Sequence, residues 1–234
     1  MSPLPLTGER TVPGIAREQY WFARHEAVYE WLAPRCTGAT ILEAGSGEGY
    51  GADLLRQAGA RVVALDYDEQ AITHSARTYP LPHVRGNLAA LPVGRVDALV
   101  SLQVIEHLWD LRGFLREVRR VADWTCLSTP NRLTFSPGLS RGRKPTNPFH
   151  VEEFDSEQLR DLLHDAGFRD VTILGLQHGA RLAQRPALIA EQIDAALSGH
   201  WPAELETFVA GVTTADFTMT ADLDTCLDLV VLAS

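Results

Sequence analysis

Short, continuously apolar runs alternate with amphipathic stretches along most of the chain. Thr40–Ala44 (TILEA), Arg61–Asp66 (RVVALD), His83–Arg85, Val96–Leu102 (VDALVSL) and Trp124–Ser128 read as strands. Between them, segments near 50–58, 69–78 and 112–122 read as helices. Strands without a polar face that alternate with helices predict a parallel sheet covered on both sides. A helix over 18–33 precedes the first strand: Tyr20, Ala23, Ala27, Val28, Trp31 and Leu32 recur near helical spacing, with Pro34 and Gly38 expected to stop it.

After the fifth strand the pattern loosens. Residues 130–150 are rich in Pro, Gly, Arg and Asn and predict a long loop, a length that compact domains often give to function. Asp155 and Gln158 have capping-box spacing at the head of a helix near 156–166, which Gly167 ends. Residues 171–177 and 226–233 read as two further strands, making seven. The expected organisation is an N-terminal arm over 1–17, carrying Pro3, Pro5 and Pro13, and one domain over 18–234. Within it, 178–223 reads as a partly helical cap or insertion between the last two strands.

Composition narrows the classes. With 234 residues and 45% hydrophobic content, the chain can bury a full core. A net charge of −9 disfavours nucleic acid as the main partner, because that needs many cations on one face. Cys36, Cys126 and Cys226 are scattered and odd in number, which predicts buried thiols rather than disulfides or a zinc site. The start of the chain lacks an apolar leader and no run approaches a membrane span, so a cytoplasmic protein without membrane contact is expected. Oligomeric state is not readable.

The chemistry begins at ILEAGSGEGYG, residues 41–51, where the first strand turns into its helix. Glycines there let backbone approach a ligand, and a helix N-terminus offers free N–H groups. The spacing separates candidate ligands. A dinucleotide fingerprint requires a third small residue at position 50, which is Tyr50, and a phosphate loop requires Gly-Lys-Ser/Thr, which is missing. What remains is Glu43 followed by Gly45, Gly47 and Gly49. The second strand ends in Asp66, 23 residues after Glu43, where an acid can accept both hydroxyls of a ribose or, more plainly, cap the next helix. Tyr67 could lie against an adenine face, and the Asn87 amide could reach its edge.

In LEAGSGEG, VVALDYDEQAI, GNLAALP, VDALVSLQVIEHL and HVEEFDSEQLRDLLHDAGF, taken in order, the chain resembles class I S-adenosylmethionine-dependent methyltransferases. The likeness runs from about Thr40 to Phe168. It implies an α/β, Rossmann-like, doubly wound and mostly parallel seven-stranded sheet with helices on both faces. It implies S-adenosylmethionine as cofactor, its methionine end held by Glu43 and the Gly45-Ser46-Gly47 backbone. Asp66 would take the ribose, Tyr67 and Leu88 would sandwich the adenine, and Leu102 and Gln103 would line the far side. Asn87 stands where the family more often has Asp.

The acceptor side is more open. The (Asp/Asn)-Pro-Pro-(Tyr/Phe) motif of amine methyltransferases acting on DNA or protein is replaced by Ser101-Leu102-Gln103-Val104. Glu106 and His107 fall just past the fourth strand at the cleft mouth, and His150 ends the long loop. A histidine is suited to remove a proton near neutrality, although all three residues could equally serve caps and turns. The segment is similar to an E-x-x-E-H segment that binds a divalent metal in some quinone-biosynthesis O-methyltransferases. Here Gln103 replaces the first acid, which weakens a magnesium site without removing it. Arg132, Arg141, Arg143 and Lys144 on the long loop suggest an anionic acceptor. Tyr20-Trp21-Phe22 with Arg24 and His25 suggests either helix packing or a lid. The lead-in TGERTVPGI…YWFARHE is similar to actinobacterial methyltransferases linked to methylated sugars and polysaccharides. The expected activity is O-methylation of a small polar hydroxyl acceptor, a sugar or hydroxy acid. The alternatives are N- or C-methylation of a metabolite, nicotinamide-dependent oxidoreduction, or a binding module without turnover.

Overall fold

The computed structural model describes residues 11–234, so the first ten residues of the expected arm lie outside the described residues. Of the lead-in, Thr11 and Val12 are buried, and Val12 and Ile15 pack with Ala71. In chain order follow α1 (Gln19–Cys36), β1 (Thr40–Ala44), α2 (Tyr50–Gln57), β2 (Arg61–Asp66), α3 (Glu69–Thr78), β3 (His83–Arg85) and β4 (Val96–Leu102). Then come α4 (Leu111–Val121), β5 (Ala122–Pro130), α5 (Arg132–Phe135), α6 (Ser156–Asp165) and β6 (Val171–His178). The chain closes with α7 (Ala180–Ala183), α8 (Pro186–Ser198), α9 (Ala203–Ala210), β7 (Phe217–Thr220) and β8 (Asp228–Ala233). α1 runs past Pro34, contrary to expectation, because a proline in the last turn removes only one late bond.

The sheet order is β3-β2-β1-β4-β5-β8-β6-β7. β1 to β5 pair in parallel, and β8 inserts antiparallel between β5 and β6. The sheet has eight strands where the sequence pattern predicts seven; the extra one is β7, antiparallel to the end of β6. Its FTMT run is too short to show a period. The other strands fall where the apolar runs place them, although β5 extends beyond both ends of its run.

Alternate residues of each strand feed opposite cores. Ile41 packs with Leu32, Ala52, Leu55 and Val100 on one face. Leu42 packs with Leu99, Phe114, Val118, Leu127 and Leu159 on the other. All three cysteines are buried and free. Among the described residues, no helix is long and apolar enough to cross a membrane. The strand order reverses between β1 and β4, which opens a crevice beyond their carboxyl ends. Glu43, Asp66 and Gln103 all stand at that edge, at or just past the ends of β1, β2 and β4.

Candidate active site

The turn after β1 is held from below and open above. Gly45 N–H and Ser46 N–H both donate to Leu65 O, at 2.8 and 2.9 Å. Gly45, Gly47 and Gly49 all have positive φ (82°, 51° and 96°). A Cβ at Gly45 would lie 2.6 Å from Val104 Cγ2, and one at Gly49 would lie 1.9 Å from Ser75 Oγ. A Cβ at Gly47 would meet nothing within 4 Å. Two of these glycines are therefore demanded by packing, and Gly47 faces open space. Glu48 anchors the turn to α3 through His74 (2.7 Å) and the Tyr79 hydroxyl (2.9 Å).

Glu43 is 1% exposed. Its Oε1 accepts the Tyr29 hydroxyl at 2.6 Å, whereas Oε2 has no partner among the described residues. Burial pushes the carboxyl up to about 8, against the pull of the Tyr29 bond. A desolvated carboxyl with one idle oxygen is poised for a cation. Asp66 does not cap the following helix. The cap is Asp68, whose side chain accepts from Gln70 N and Ala71 N. Asp66 instead accepts Gly47 N–H at 2.7 Å and Asp68 N–H at 2.8 Å, one on each oxygen. Each oxygen keeps acceptor capacity for a ligand hydroxyl. Beside it Tyr67 is 75% exposed. Leu88 is half-buried, and Asn87 folds its Oδ1 onto Ala89 N–H at 2.9 Å. Leu102 is buried. Gln103 is the one non-glycine with positive φ (56°) among the described residues, and its amide donates to Ser128 Oγ at 3.1 Å.

Past β4, Glu106 and His107 lie in a single 3-10 turn. The chain just before α6 folds back onto it: Val151 N–H and Glu152 N–H both donate to Glu106 O, at 2.7 and 3.2 Å. This brings His150 to His107 with ring centroids 5.0 Å apart and planes at 80°. Glu106, His107 and His150 each offer an atom within 4.8 Å of the others. Glu106 is 1% exposed, its Oε2 has no partner, and burial pushes it up to about 8.

Hydrogen-bond partners distinguish the two histidines. His107 Nδ1 is 2.9 Å from Phe149 O. A carbonyl only accepts, so Nδ1 carries the proton and the neutral ring has its lone pair on Nε2. That nitrogen is 3.9 Å from Glu106 Oε1. His150 uses both nitrogens: Nδ1 is 2.7 Å from Glu153 Oε1, and Nε2 is 3.0 Å from Asn147 Nδ2. The Asn147 amide cannot be reversed, because its Oδ1 accepts Phe149 N–H at 3.0 Å.

A family model described as "Methyltransferase domain" matches residues 42–123. A probable S-adenosylmethionine-dependent methyltransferase of Mycobacterium tuberculosis is 50% identical over 98% of this chain and 89% of its own. The chain is a class I S-adenosylmethionine-dependent methyltransferase. A ubiquinone biosynthesis O-methyltransferase of Methylocella silvestris is 31% identical over 57% of this methyltransferase and 48% of its own length. The fold is shared with a Thermotoga maritima structure described as a possible histamine N-methyltransferase. Its TM-score is 0.65 at 15% identity, covering 93% of this chain and 90% of that one.

The methyltransferase thus uses S-adenosylmethionine, and the idle Glu43 oxygen, the open face at Gly47 and the Asp66 carboxylate suit its ammonium, backbone and ribose. Magnesium suits the acceptor side less well. The cluster is one carboxyl and two imidazoles, one of them with both nitrogens engaged. A hard cation prefers several oxygen ligands. Two of the four loop cations that suggested an anionic acceptor are engaged within the protein. Arg132 and Arg141 both bind Asp155, and Arg141 reaches Glu157 as well. They pin the loop to the start of α6. Asp155 caps that helix through Gln158 N, but Gln158 Nε2 turns to Glu152, leaving the capping box open.

The aromatic cluster of α1 proves to be packing of two kinds. Phe22 and Tyr29 lie against Tyr50 at 4.9 and 5.9 Å, which holds α1 to the glycine turn. Tyr20 packs on Trp21 and Phe217 and bonds His178 Nε2 at 2.7 Å. Arg24 makes a buried two-bond pair with Asp228, at 2.7 and 2.6 Å. Tyr29, Asn147 and Glu153, which bond the candidate residues Glu43 and His150, were not identified from the sequence. For the last two, the N-x-x-H-x-x-E spacing was the available signal.

Proposed function

We propose that this methyltransferase methylates a hydroxyl oxygen of a small polar acceptor, a sugar or hydroxy acid, with His107 as general base. The observation that carries this reading is the bond from His107 Nδ1 to Phe149 O, which places the lone pair of the neutral ring on Nε2, just past the end of β4. His150 has no free nitrogen, and Glu106 is protonated near neutrality, so neither competes for the role. The O-methyltransferase relative is in keeping with an oxygen acceptor.

On the donor side, Glu43 Oε2 and the Gly45-Ser46-Gly47 backbone hold the methionine end and Asp66 holds the ribose. Tyr67 and Leu88 enclose the adenine, Asn87 contacts its edge, and Leu102 and Gln103 line the far wall. S-adenosylmethionine supplies a methyl group already activated on sulfonium sulfur. The chain then has two tasks, alignment and proton removal. His107 Nε2 takes the hydroxyl proton as the acceptor oxygen forms its bond to the methyl carbon and the carbon–sulfur bond breaks. The Phe149 carbonyl stabilises the resulting imidazolium, which returns its proton to solvent. Residues 178–223 act as a cap that contributes to acceptor choice.

The test pairs an acceptor screen with two variants. Sugars and hydroxy acids are incubated with donor, and the methylated position is read by mass spectrometry and NMR. His107→Ala should lower kcat at least a hundredfold with donor Kd unchanged, and His150→Ala should do less. Methylation at nitrogen or carbon, or full turnover by His107→Ala, overturns the reading.

A further inference from the structure

We infer that Asn147 and Glu153 are positioning residues that lock His107 in the tautomer presenting Nε2, acting through His150 and the Phe149 carbonyl. This rests on the reading of His107 as the base and adds how that base is prepared.

The bonds form one connected chain. Glu153 Oε1 accepts from His150 Nδ1 at 2.7 Å. The opposite nitrogen of His150 accepts from Asn147 Nδ2 at 3.0 Å. Asn147 Oδ1 accepts Phe149 N–H at 3.0 Å, fixing the peptide plane next to the carbonyl that receives His107 Nδ1 at 2.9 Å. His150 is also held by its neighbours' rings, with Phe135 at 5.2 Å on one side and the edge of His107 at 5.0 Å on the other. A carbonyl so placed acts as the orienting group behind a base, as the oxygen atoms that accept the far N–H of metal-bound histidines do.

Glu153 supports the same assignment from its burial. It is 3% exposed, its one hydrogen bond goes to His150, and Oε2 has no partner among the described residues. Burying a carboxyl with one oxygen idle is costly, and folding alone does not call for it. The arrangement is reasonable if the task of Glu153 is to set which His150 nitrogen carries hydrogen. His150 Nε2 must then accept, and only the amino side of Asn147 satisfies it. That leaves Asn147 Oδ1 to bind Phe149 N–H. The whole device lies in the seven residues NPFHVEE.

The experiment uses the full chain. Imidazole 15N spectra report which nitrogen of each histidine bears hydrogen, and steady-state kinetics separate kcat from KM. In the unaltered protein His107 should show Nδ1 protonated and Nε2 bare. Asn147→Asp keeps size and the Phe149 N–H acceptor but sets an oxygen against His150 Nε2. It should protonate or turn His150, mix the His107 tautomers and lower kcat about tenfold, with acceptor KM and donor Kd within twofold. Glu153→Ala should act alike, and Glu153→Gln, which keeps the acceptor for Nδ1–H, should restore kcat. If Glu153→Ala does not fold, Asn147→Asp alone decides. Unchanged His107 spectra or unchanged kcat in Asn147→Asp overturns the inference. Full turnover by His107→Ala, seen in a separate protein, instead overturns the base reading on which it rests.

Discussion

The Tyr29 hydroxyl donates to Glu43 Oε1 at 2.6 Å, across the junction of α1 with the end of β1, and leaves Glu43 Oε2 unpartnered. Burial raises this carboxyl to about 8, so the free enzyme carries it protonated near neutrality. The sign of the linkage follows. Between the unfolded value, ~4.3, and about 8 the folded state binds the extra proton, so free-enzyme stability falls as pH rises through that window. A cation at Oε2 reverses the preference. Donor binding should release a proton near pH 7, and Kd should tighten between pH 6 and 8 by up to about tenfold per unit. Calorimetry in two buffers of different ionisation enthalpy counts that proton. Glu43→Gln should bind weakly and without the slope; an equal slope in Glu43→Gln would show that another group titrates.

Asp66 and Asp68 are two residues apart and have separate tasks. Asp68 caps α3, whereas Asp66 ties Gly47 N–H to the end of β2. Asp68→Ala should cost about 1 kcal/mol of stability, the usual worth of a cap, with donor Kd within twofold. Asp66→Asn keeps the shape but replaces one acceptor oxygen by a donor facing Gly47 N–H or Asp68 N–H. Donor Kd should weaken at least tenfold. Thermal melts and donor titration on both variants test the division, and a reversal of the two effects would refute it.

Much of this was legible in the sequence, because a strand buried on both faces must be continuously apolar. β1, β2 and β4 are apolar through their centres (Ile41-Leu42, Val62 to Leu65, Ala98 to Val100), and their ends place Glu43, Asp66 and Gln103 along one edge. Other parts depend on meetings that spacing does not encode. Tyr29 reaches Glu43 only because α1 crosses the glycine turn. The loop arginines look free in sequence, and Arg132 and Arg141 are consumed by Asp155. His107 and His150 are equivalent as residue types, and only their partners at Phe149, Asn147 and Glu153 tell them apart. β7 is too short to show a period and forms against an existing edge.

Metal dependence separates two uses of the Glu106, His107 and His150 cluster. With one carboxyl and two imidazoles, it offers few of the oxygen ligands that magnesium prefers, and the neutral His107 ring has its lone pair on Nε2. Exhaustive chelation should leave kcat unchanged, and millimolar magnesium added back should not raise it. A tenfold loss on chelation that magnesium restores would assign the cluster to a cation.

The final prediction concerns the loop leading to His150. Burial would raise Asp155, but the bonds from Arg141, Gln158 N–H and Arg132 outweigh it and hold the carboxyl at about 2. A lowered folded value contributes stability above the unfolded value, ~3.9, and that contribution is lost as pH falls toward about 2. Arg141 is roughly half exposed, its side chain at 47%, so solvent screening reduces its share. Arg141→Ala should therefore melt slightly below the unaltered protein at pH 7, and the gap should close between pH 4 and 2 as Asp155 takes its proton in both proteins. Because Asp155 caps α6 and lies only three residues after Glu152, the same variant should loosen the chain that clamps Glu106 O. Amide exchange at Val151 and Glu152 should quicken in Arg141→Ala at pH 7, while exchange at the strand centres of β1 and β4 stays as it was. Melting curves that remain apart down to pH 2 would mean that Arg141 stabilises the loop by some route other than the Asp155 charge.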